Sequence, residues 1–208
     1  MSGGAIALIV IAAIVVIIVL WLILTAIGTY NGLIQMNEGA NNAFSDISVQ
    51  YQRRYDLIPN LVESCKVYMA HESETLTGVV EARNQSLGAL KALSSNPGDA
   101  EALMSFKGAE SALGGIMGRL MAVSESYPDL KANQNISQLM MELGETEDAI
   151  SMHRESFNNS VTQFNIFRQK FPQVFFASMF GFSKNRELLE FDTEAISKAP
   201  SVGKLFDS

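Results

Sequence analysis

The residues best suited to chemistry are a histidine and a glutamate in the N-terminal half of the chain. His71-Glu72 begins the pattern that zinc proteases complete with a second histidine four residues after the first, but Thr75 stands at that position. The only other histidine, His153, lies far along the chain. A catalytic zinc ion needs three protein ligands and an open fourth position. We therefore expect a polar layer between helices here, with no metal and no cofactor.

Nucleophilic catalysis has equally little support. Cys65 is the only cysteine and lies on an apolar helical stripe, which favours a buried, inert thiol and excludes a disulfide framework. No glycine-rich phosphate loop is present; Gly114, Gly115 and Gly118 fall inside a helical pattern, where they favour close helix packing. The sequence therefore predicts a protein that is not an enzyme.

Several polar residues interrupt the apolar stripes of the predicted helices. Buried ion pairs tend to fix helix register rather than add stability, because desolvation offsets the Coulomb attraction. We interpret these residues as determinants of helix pairing, with a ligand or proton site as the alternative. They are Glu72, Arg83, Thr146, Glu147, His153 and Arg154.

The elements that position these residues begin with an uncharged N-terminal segment. Residues 5–24 are an unbroken apolar run that extends through residue 27, and 23 helical residues rise about 34 Å, enough to cross a hydrocarbon core of roughly 30 Å. A cleaved signal peptide is the alternative, but it requires a basic start and a shorter run. We therefore predict a transmembrane anchor over residues 1–28, with Gly28 and Gly32 at its exit suited to helix pairing or to a bend.

The charge distribution bears on partners and on orientation. The chain has 22 acidic and 15 basic side chains, a net charge of −7, which argues against binding nucleic acid. The first basic residues after the apolar run are Arg53 and Arg54, beyond the range that usually decides topology. Because a short uncharged tail is easily translocated, we expect the N-terminus outside and the following domain in the cytoplasm.

The remaining residues predict long helices. One series with a period of seven contains Phe106, Leu113, Leu120 and Tyr127, and we pair it with a second series, Ala102, Ala109, Ile116 and Val123. A third series runs through Ile136, Leu143, Ile150, Phe157, Phe164 and Phe171. A sustained seven-residue period imposes near-parallel packing of long helices. With turns expected near residues 53–56, 94–98 and 128–132, the fold class is all-α: a transmembrane helix followed by an antiparallel bundle of four long helices over residues 29–171.

The turns carry specific expectations. Asn96 is predicted to cap the third helix, with Pro97 in its first turn. Asp56 is predicted to cap the second helix, with Pro59-Asn60 in its first turn, while Arg53 and Arg54 reach carboxylates such as Asp129. Asp56→Ala should then cost about 1 kcal/mol as a lost cap, and a partner-binding role for this turn is the alternative.

A phenylalanine-rich segment follows the bundle. Phe171, Phe175, Phe176, Phe180 and Phe182 lie within twelve residues, and we expect them at the membrane-proximal end, against the lipid interface or a neighbouring subunit rather than inside the bundle. A first helix ending near residue 52 is too short to match the fourth, so we expect it to bend at residues 28–32 or at Gly39. Residues 172–208 form this segment and the C-terminal tail.

Several segments together resemble the LemA family. Residues 46–63 (DISVQYQRRYDLIPNLVE) resemble its signature; residues 71–76, 81–83 and 125–133 follow at the family's spacing. Phe157-Asn158, Phe164-Asn165, Phe171-Pro172 and Gly181-Phe182 complete a similarity over about residues 30–206. The residues we single out for structural or interaction roles are Arg53, Arg54, Asp56, Pro59, Asn60, Glu63, His71, Glu72, Arg83, Tyr127, Pro128, Asp129, Glu147, Arg154, Asn158, Asn165, Phe171, Pro172, Phe175, Phe176 and Phe180.

The resemblance implies a bacterial, membrane-anchored cytoplasmic bundle without established enzymatic activity, in a family associated with membrane metalloproteases. We expect a scaffold that self-associates and organises the lipid bilayer or partner proteins. The alternative is an adaptor or regulator of a membrane metalloprotease. The C-terminal motif is loosened here to residues 200–206 (PSVGKLF).

Overall fold

The computed structural model describes residues 3–190, most of which lie in helices. These are α1 (Gly3–Lys66), α2 (Ser73–Ser95), α3 (Ala100–Ser124), α4 (Pro128–Lys131), α5 (Gln134–Gln169) and α6 (Gln173–Met179). No strand occurs between residues 3 and 190. The predicted all-α fold, with an apolar N-terminal helix and long helices after it, is confirmed. The tail motif at residues 200–206 lies outside the described residues.

The first predicted turn is wrong. α1 continues past residues 53–56 to Lys66, and the chain turns at residues 67–72 instead. Asp56 therefore caps no helix: it lies inside α1 and accepts a hydrogen bond from Gln52 Nε2 at 2.8 Å, one helical turn earlier. The apolar stripe continues through this stretch, with Tyr51, Tyr55 and Ile58 buried at a helical spacing of four and three. Burial of that stripe outweighs the local turn signal of the charged residues beside it.

The corrected length of α1 removes the reason for a bend. From residue 29 to Lys66 the helix has 38 residues and rises about 57 Å, close to the roughly 54 Å of the 36 residues of α5. α1 passes through Gly28, Gly32 and Gly39 as one helix. The expected bend followed from a first helix that was taken to be too short.

The other two turns lie close to their predicted places. α3 begins after Asp99, whose carboxylate accepts from the backbone N–H groups of Glu101 at 2.9 Å and Ala102 at 3.2 Å. Asp99, not Asn96, is therefore the cap, because a side-chain oxygen must reach the amides two and three residues on. Asn133 caps α5 in the same way, accepting from Asn135 and Ile136.

The chain divides into two compact units. Unit 1 contains the described residues up to Ala40 together with residues 159–186; unit 2 contains residues 41–158 and, among the described residues, 187–190. The core of unit 2 is formed by large buried side chains on α1, α2, α3 and α5, each removed from water at a gain of about 1.5–3 kcal/mol. They include Phe44, Ile47, Tyr51, Tyr55, Ile58, Leu61, Leu93, Phe106 and Phe157.

Unit 1 has a smaller core, to which α1, α5 and α6 each contribute one fully buried residue. Leu33 of α1, Phe164 of α5 and Ala177 of α6 are fully buried together, and Met36, Phe167, Phe180 and Phe182 pack against them. Gly181 ends α6 with a φ of 88°, a conformation that favours glycine, and the N–H of Phe182 then donates to the carbonyl of Ala177 at 2.9 Å. This reversal returns the Phe182 ring to within 5.8 Å of Phe164.

Candidate functional site

The main polar site of unit 2 is centred on Arg54, in the half of α1 that follows the apolar run. Its guanidinium pairs with Glu110 of α3, and its Nη1 donates to Glu147 of α5 at 2.6 Å. The hydroxyl of Tyr55 donates to the second carboxylate oxygen of Glu110 at 2.5 Å. The side chain of Glu110 is 4% exposed and that of Arg54 is 12% exposed. One cation thus joins three helices in a nearly closed interior.

Aromatic rings enclose this cation. The guanidinium carbon of Arg54 lies 5.1 Å from the ring centre of Tyr51 and 5.5 Å from that of Tyr55, within the range of cation–π attraction. Tyr51 in turn meets Phe106 edge to face at 4.9 Å. The pair of Arg54 and Glu110 is therefore buried and lined by aromatic rings, while Glu147 lies at its half-exposed edge.

Burial and charge shift the pKa values at this site in consistent directions. Burial raises the pKa of Tyr55, and the negative charge and hydrogen bond of Glu110 raise it further. The pKa of Tyr51 is raised by burial and by the same carboxylate. Burial lowers the pKa of Arg54, but Glu110 and Glu147 outweigh that effect and raise it above its ordinary value. Both phenols thus stay neutral and the arginine stays charged at physiological pH.

Arg83 of α2 donates a hydrogen bond to a backbone carbonyl that has no partner within α1. Pro59 has no N–H, so the carbonyl of Tyr55, four residues earlier, has no partner within the helix. The Nε of Arg83 donates to that carbonyl at 2.8 Å, and its Nη2 lies 3.6 Å from Asp56. This contact lets α1 continue through a proline that the sequence had suggested for a helix start.

The predicted series Phe106, Leu113 and Leu120 is buried, but sequence reasoning missed Glu110 because the second series of α3 was assigned one residue off. The residues that pack inward are Leu103, Phe106, Glu110, Leu113, Leu120 and Ser124, whereas Ala102, Ala109, Ile116 and Val123 are half-buried. Positions three and four residues apart lie on neighbouring faces of a helix. Because alanine and valine can occupy a buried or a half-buried face, they do not show which of the two faces packs inward. A lone carboxylate four residues after Phe106 on the apolar stripe was the available signal.

The histidines do not come together with Glu72 in a ligand set. His71 is exposed in the turn between α1 and α2, while Glu72 accepts a 3.4 Å hydrogen bond from the hydroxyl of Tyr127. His153 is half-buried on α5. Across residues 3–190 no group of three or more metal-binding side chains is assembled. At the same end of unit 2, Asn133 donates to the Tyr68 hydroxyl at 2.9 Å, so these polar residues fasten helix ends to one another.

The other signature residues of α1 point outward. Arg53, Asp56, Asn60 and Glu63 recur at spacings of three and four, which places them on one helix face, and all four are exposed. Pro59 is exposed beside them, and Pro128 and Asp129 are exposed on α4. Arg53 and Arg54 are therefore neighbours in sequence with opposite surroundings. We call Arg53, Asp56, Asn60 and Glu63 the outer strip.

Two asparagines of α5 hold the chain that follows α6. In unit 1, Asn165 donates to the carbonyl of Arg186 and accepts from its N–H, both at 2.9 Å. In unit 2, Asn158 makes the same pair of bonds to Leu189, at 3.2 Å and 2.8 Å. Each side-chain amide thus satisfies both backbone groups of one residue. This is the structural use of the repeated Phe-Asn pairs, whose phenylalanines 157 and 164 are buried.

Further contacts fix the end of this segment in unit 1. Arg186 is 8% exposed, and its Nη1 donates to the side chain of Asn37 at 2.8 Å. Burial lowers the pKa of Arg186, an effect that Glu38 partly opposes. Arg168 donates to the carbonyl of Ser183 at 3.0 Å.

The phenylalanines of the α6 region divide into two groups. Phe180 packs on the unit 1 core and meets Tyr30 edge to face at 5.2 Å, and Phe176 is half-buried. Phe171 and Phe175 are 77% and 70% exposed. The predicted series ending at Phe171 therefore fails at its last member, since α5 ends at Gln169 and Phe171 falls in the turn before α6.

The glycines at the end of the apolar run differ in their surroundings. A Cβ added at Gly32 would lie 2.5 Å from the Cζ of Phe167, whereas one at Gly28 would meet nothing within 4 Å. The lack of a side chain at Gly32 therefore leaves room for the ring of Phe167 against α1.

Neither of the two surface grooves between α2 and α3 suits catalysis. One has a volume of about 600 Å³ and is lined mainly by alanine, glycine and serine; the other, of about 470 Å³, has Glu74, Glu81 and Arg119 on its walls. Cys65 is buried, and burial raises the pKa of its thiol, as expected of an unreactive cysteine. In unit 2 the charged side chains of Arg54, Glu110 and Glu147 converge on one another and join α1, α3 and α5.

The chain is similar in sequence to proteins of one family. Residues 43–203 match the LemA family. The chain is 29% identical to magnetosome protein MamQ of Magnetospirillum gryphiswaldense and 31% identical to magnetosome protein MamQ 2 of Paramagnetospirillum magneticum, covering in each case 78% of this chain. It is 29% identical to protein LemA of Metamycoplasma hominis over 67% of its own length.

These relatives are longer than the matched region. The matches cover 65% of the length of each MamQ protein and 59% of the LemA protein, and none of these names states a catalytic activity. The family match spans well over half of the chain, from the core residue Ala43 onward and through the Arg54 site and the asparagine contacts. This protein belongs to the LemA family.

Proposed function

We propose that this protein is a non-enzymatic, membrane-anchored helical scaffold that self-associates and organises the bilayer or partner proteins. The observation that carries the proposal is the continuity of α1. One helix contains both the only stretch among residues 3–190 that is long and apolar enough to cross a membrane and a large part of the core of unit 2. The side chains of residues 6–24 are predominantly exposed and apolar, as lipid-facing residues are.

The polar chemistry of unit 2 supports a structural role. Arg54 pairs with Glu110 and Glu147 across three helices, and buried pairs such as that of Arg54 with Glu110 tend to fix helix register. The outer strip then offers a polar helix face to a partner.

We further propose that the N-terminus lies outside and that unit 2, together with residues 159–186 of unit 1, lies in the cytoplasm of a bacterium. No basic residue lies between the apolar run and Arg53, so the support for this orientation is the resemblance to the LemA family, which implies a cytoplasmic bundle. Added proteases should then digest unit 2 in inverted vesicles and spare it in intact spheroplasts; the opposite result contradicts this orientation.

The scaffold proposal is tested by the mass of the full chain in mild detergent. We expect a homo-oligomer by light scattering corrected for bound detergent, with no other protein in stoichiometric amount. A monomer that recruits nothing contradicts the scaffold. The alternative, an adaptor of a membrane metalloprotease, is favoured if the chain co-purifies with one and an outer-strip variant, Asn60→Arg, loses it while Asp129→Asn, outside the strip, retains it.

A further inference from the structure

An apolar face of α6 is left uncovered in unit 1. Val174, Phe175 and Met179 of α6 are 39%, 70% and 70% exposed, and Phe171, in the turn before α6, is 77% exposed. The rings of Phe171 and Phe175 meet edge to face at 6.0 Å, so the turn residue extends the apolar face of the helix. The opposite side of α6 carries buried Ala177. We call the four exposed residues the α6 face. Such a contiguous patch on a folded surface is usually covered by something.

The core of unit 1 fixes the level of this face along α1. Ala177 packs with Leu33, and the ring of Phe180 lies 5.2 Å from that of Tyr30. Tyr30 and Leu33 are three and six residues beyond the last residue of the apolar run, about 4.5 Å and about 9 Å along the helix axis. The headgroup layer beyond the hydrocarbon core is roughly 5–8 Å thick on each side of a bilayer. α6 is therefore held at the level of the headgroups.

The charges around the α6 face suit an anionic surface. Lys170 directly precedes Phe171, Lys184 follows shortly after α6, and both are exposed. No acidic residue occurs between residues 156 and 186, and the described part of unit 1 contains four basic residues against the single acid Glu38. This contrasts with the net charge of −7 for the whole chain. Basic residues close to an anionic leaflet are attracted to it.

The size of the face argues against a second copy of the chain as its occupant. Two phenylalanines of about 200 Å² each, exposed to about three quarters, with one valine and one methionine, offer on the order of 500 Å². A stable protein interface needs about 800 Å² from each partner. An interfacial helix, in contrast, needs only one apolar face beside basic residues.

We propose that α6 is an interfacial helix, whose face inserts into the headgroup boundary of an anionic leaflet as a second membrane contact beside the transmembrane run. The inference rests on the anchoring part of the proposed function. The apolar rings enter the upper acyl region, and Lys170 and Lys184 meet the lipid phosphates.

The test uses three single-tryptophan forms of the full chain. Trp21 is the only tryptophan and lies in the apolar run, so the unaltered chain reports the anchor. Trp21→Phe with Phe175→Trp reports the α6 face, and Trp21→Phe with Met104→Trp is the matched control, because Met104 is equally exposed (72%) but lies in unit 2. Each is reconstituted into phosphatidylcholine–phosphatidylglycerol vesicles carrying bromine on the upper acyl chain.

We expect bromine to quench the Phe175→Trp emission roughly twofold, as for a ring buried about 5–10 Å into the boundary, and to leave the control unquenched. Quenching at Trp21 but not at position 175 overturns the inference and leaves the anchor intact. A blue-shifted, unquenched emission at position 175 assigns the face to a second copy and also overturns it. An unquenched Trp21 would instead show that the proposed anchor itself fails.

The lipid charge is tested in the same vesicles. Quenching at position 175 should increase with phosphatidylglycerol content, and Lys170→Gln with Lys184→Gln should abolish that increase. An equal increase in the lysine variant would overturn the anionic part of the proposal.

Discussion

At the scale of single residues, Arg54 and Glu110 form the pair whose substitution has the largest expected effect. Glu110→Gln leaves a buried guanidinium with only the half-exposed Glu147 as a charged partner. Breaking a buried ion pair costs about 3–5 kcal/mol, whereas replacing both members with apolar residues is often neutral. We expect a loss of about 3 kcal/mol in the free energy of unfolding, measured by denaturant titration of the full chain in detergent.

Two further variants separate this pair from general destabilisation. Glu147→Gln removes the more exposed carboxylate, at 53% exposure, and should cost less than about 1 kcal/mol. The double variant Arg54→Met, Glu110→Leu should cost less than the sum of its two single changes. Additive losses would show that the two side chains act independently.

The two buried tyrosines predict the alkaline limit of stability. Because burial raises the pKa of Tyr51 and Tyr55 in the folded chain, ionisation in the unfolded chain comes first, near pH 10. Stability should hold below that pH and fall as the pH rises toward the higher folded values. In Tyr55→Phe, the decline of the unfolding temperature above pH 10 should be shallower. An unchanged slope would exclude Tyr55 as a source of the decline.

At the scale of the elements, Pro59 and Arg83 should act as one unit. Arg83→Met leaves the Tyr55 carbonyl without a donor and should cost about 1–3 kcal/mol. With Pro59→Ala already in place, the N–H of residue 59 can take that carbonyl, and the same change at Arg83 should cost about 1 kcal/mol less. Asp56→Asn, at an exposed carboxylate, controls for the ion pair alone. If Arg83→Met lowered the free energy of unfolding equally in the unaltered chain and in Pro59→Ala, Arg83 would not compensate for the proline.

The glycines of α1 give a matched pair at the same scale. Gly32→Ala forces the Phe167 ring to move and should destabilise by about 1–3 kcal/mol. Gly28→Ala meets nothing and should be neutral or stabilise by up to about 1 kcal/mol, since alanine favours a helix. Thermal unfolding in detergent checks both. Equal changes in the unfolding temperature of the two variants would mean that the close approach of Phe167 to Gly32 does not destabilise Gly32→Ala.

The sequence predicted the helices better than their ends. The α5 series from Ile136 to Phe164 is buried as predicted because large apolar residues recur there without ambiguity. The first turn was misplaced because Asp56 and Pro59 match a helix start locally, while the donor that compensates Pro59 lies on another helix. Glu110 was missed for a related reason: its partners Arg54 and Tyr55 are 56 and 55 residues away, and one sequence contains no distance information.

At the scale of the whole molecule, deletion of the apolar run tests whether this run is the single membrane anchor. The large core side chains of unit 2 all lie beyond residue 40, so deletion of residues 1–28 should leave a helical, water-soluble domain. Circular dichroism and sedimentation after carbonate washing measure the two properties. A truncated chain that stays in the membrane pellet would contradict a single anchor, although α6 should still give weak, salt-sensitive binding to anionic vesicles.

The long α1 also has a consequence for the order of synthesis. Its inward residues Phe44, Tyr51 and Arg54 are made before any of the helices that cover them, and Glu110 follows Arg54 by 56 residues. At about 5–20 residues per second, the nascent chain exposes this face for roughly 3–11 seconds before the first carboxylate emerges. Phe157 emerges later still. During that interval the half-made protein is already tethered by its apolar run, so its unsatisfied face is confined to the membrane surface while it waits for α3 and α5.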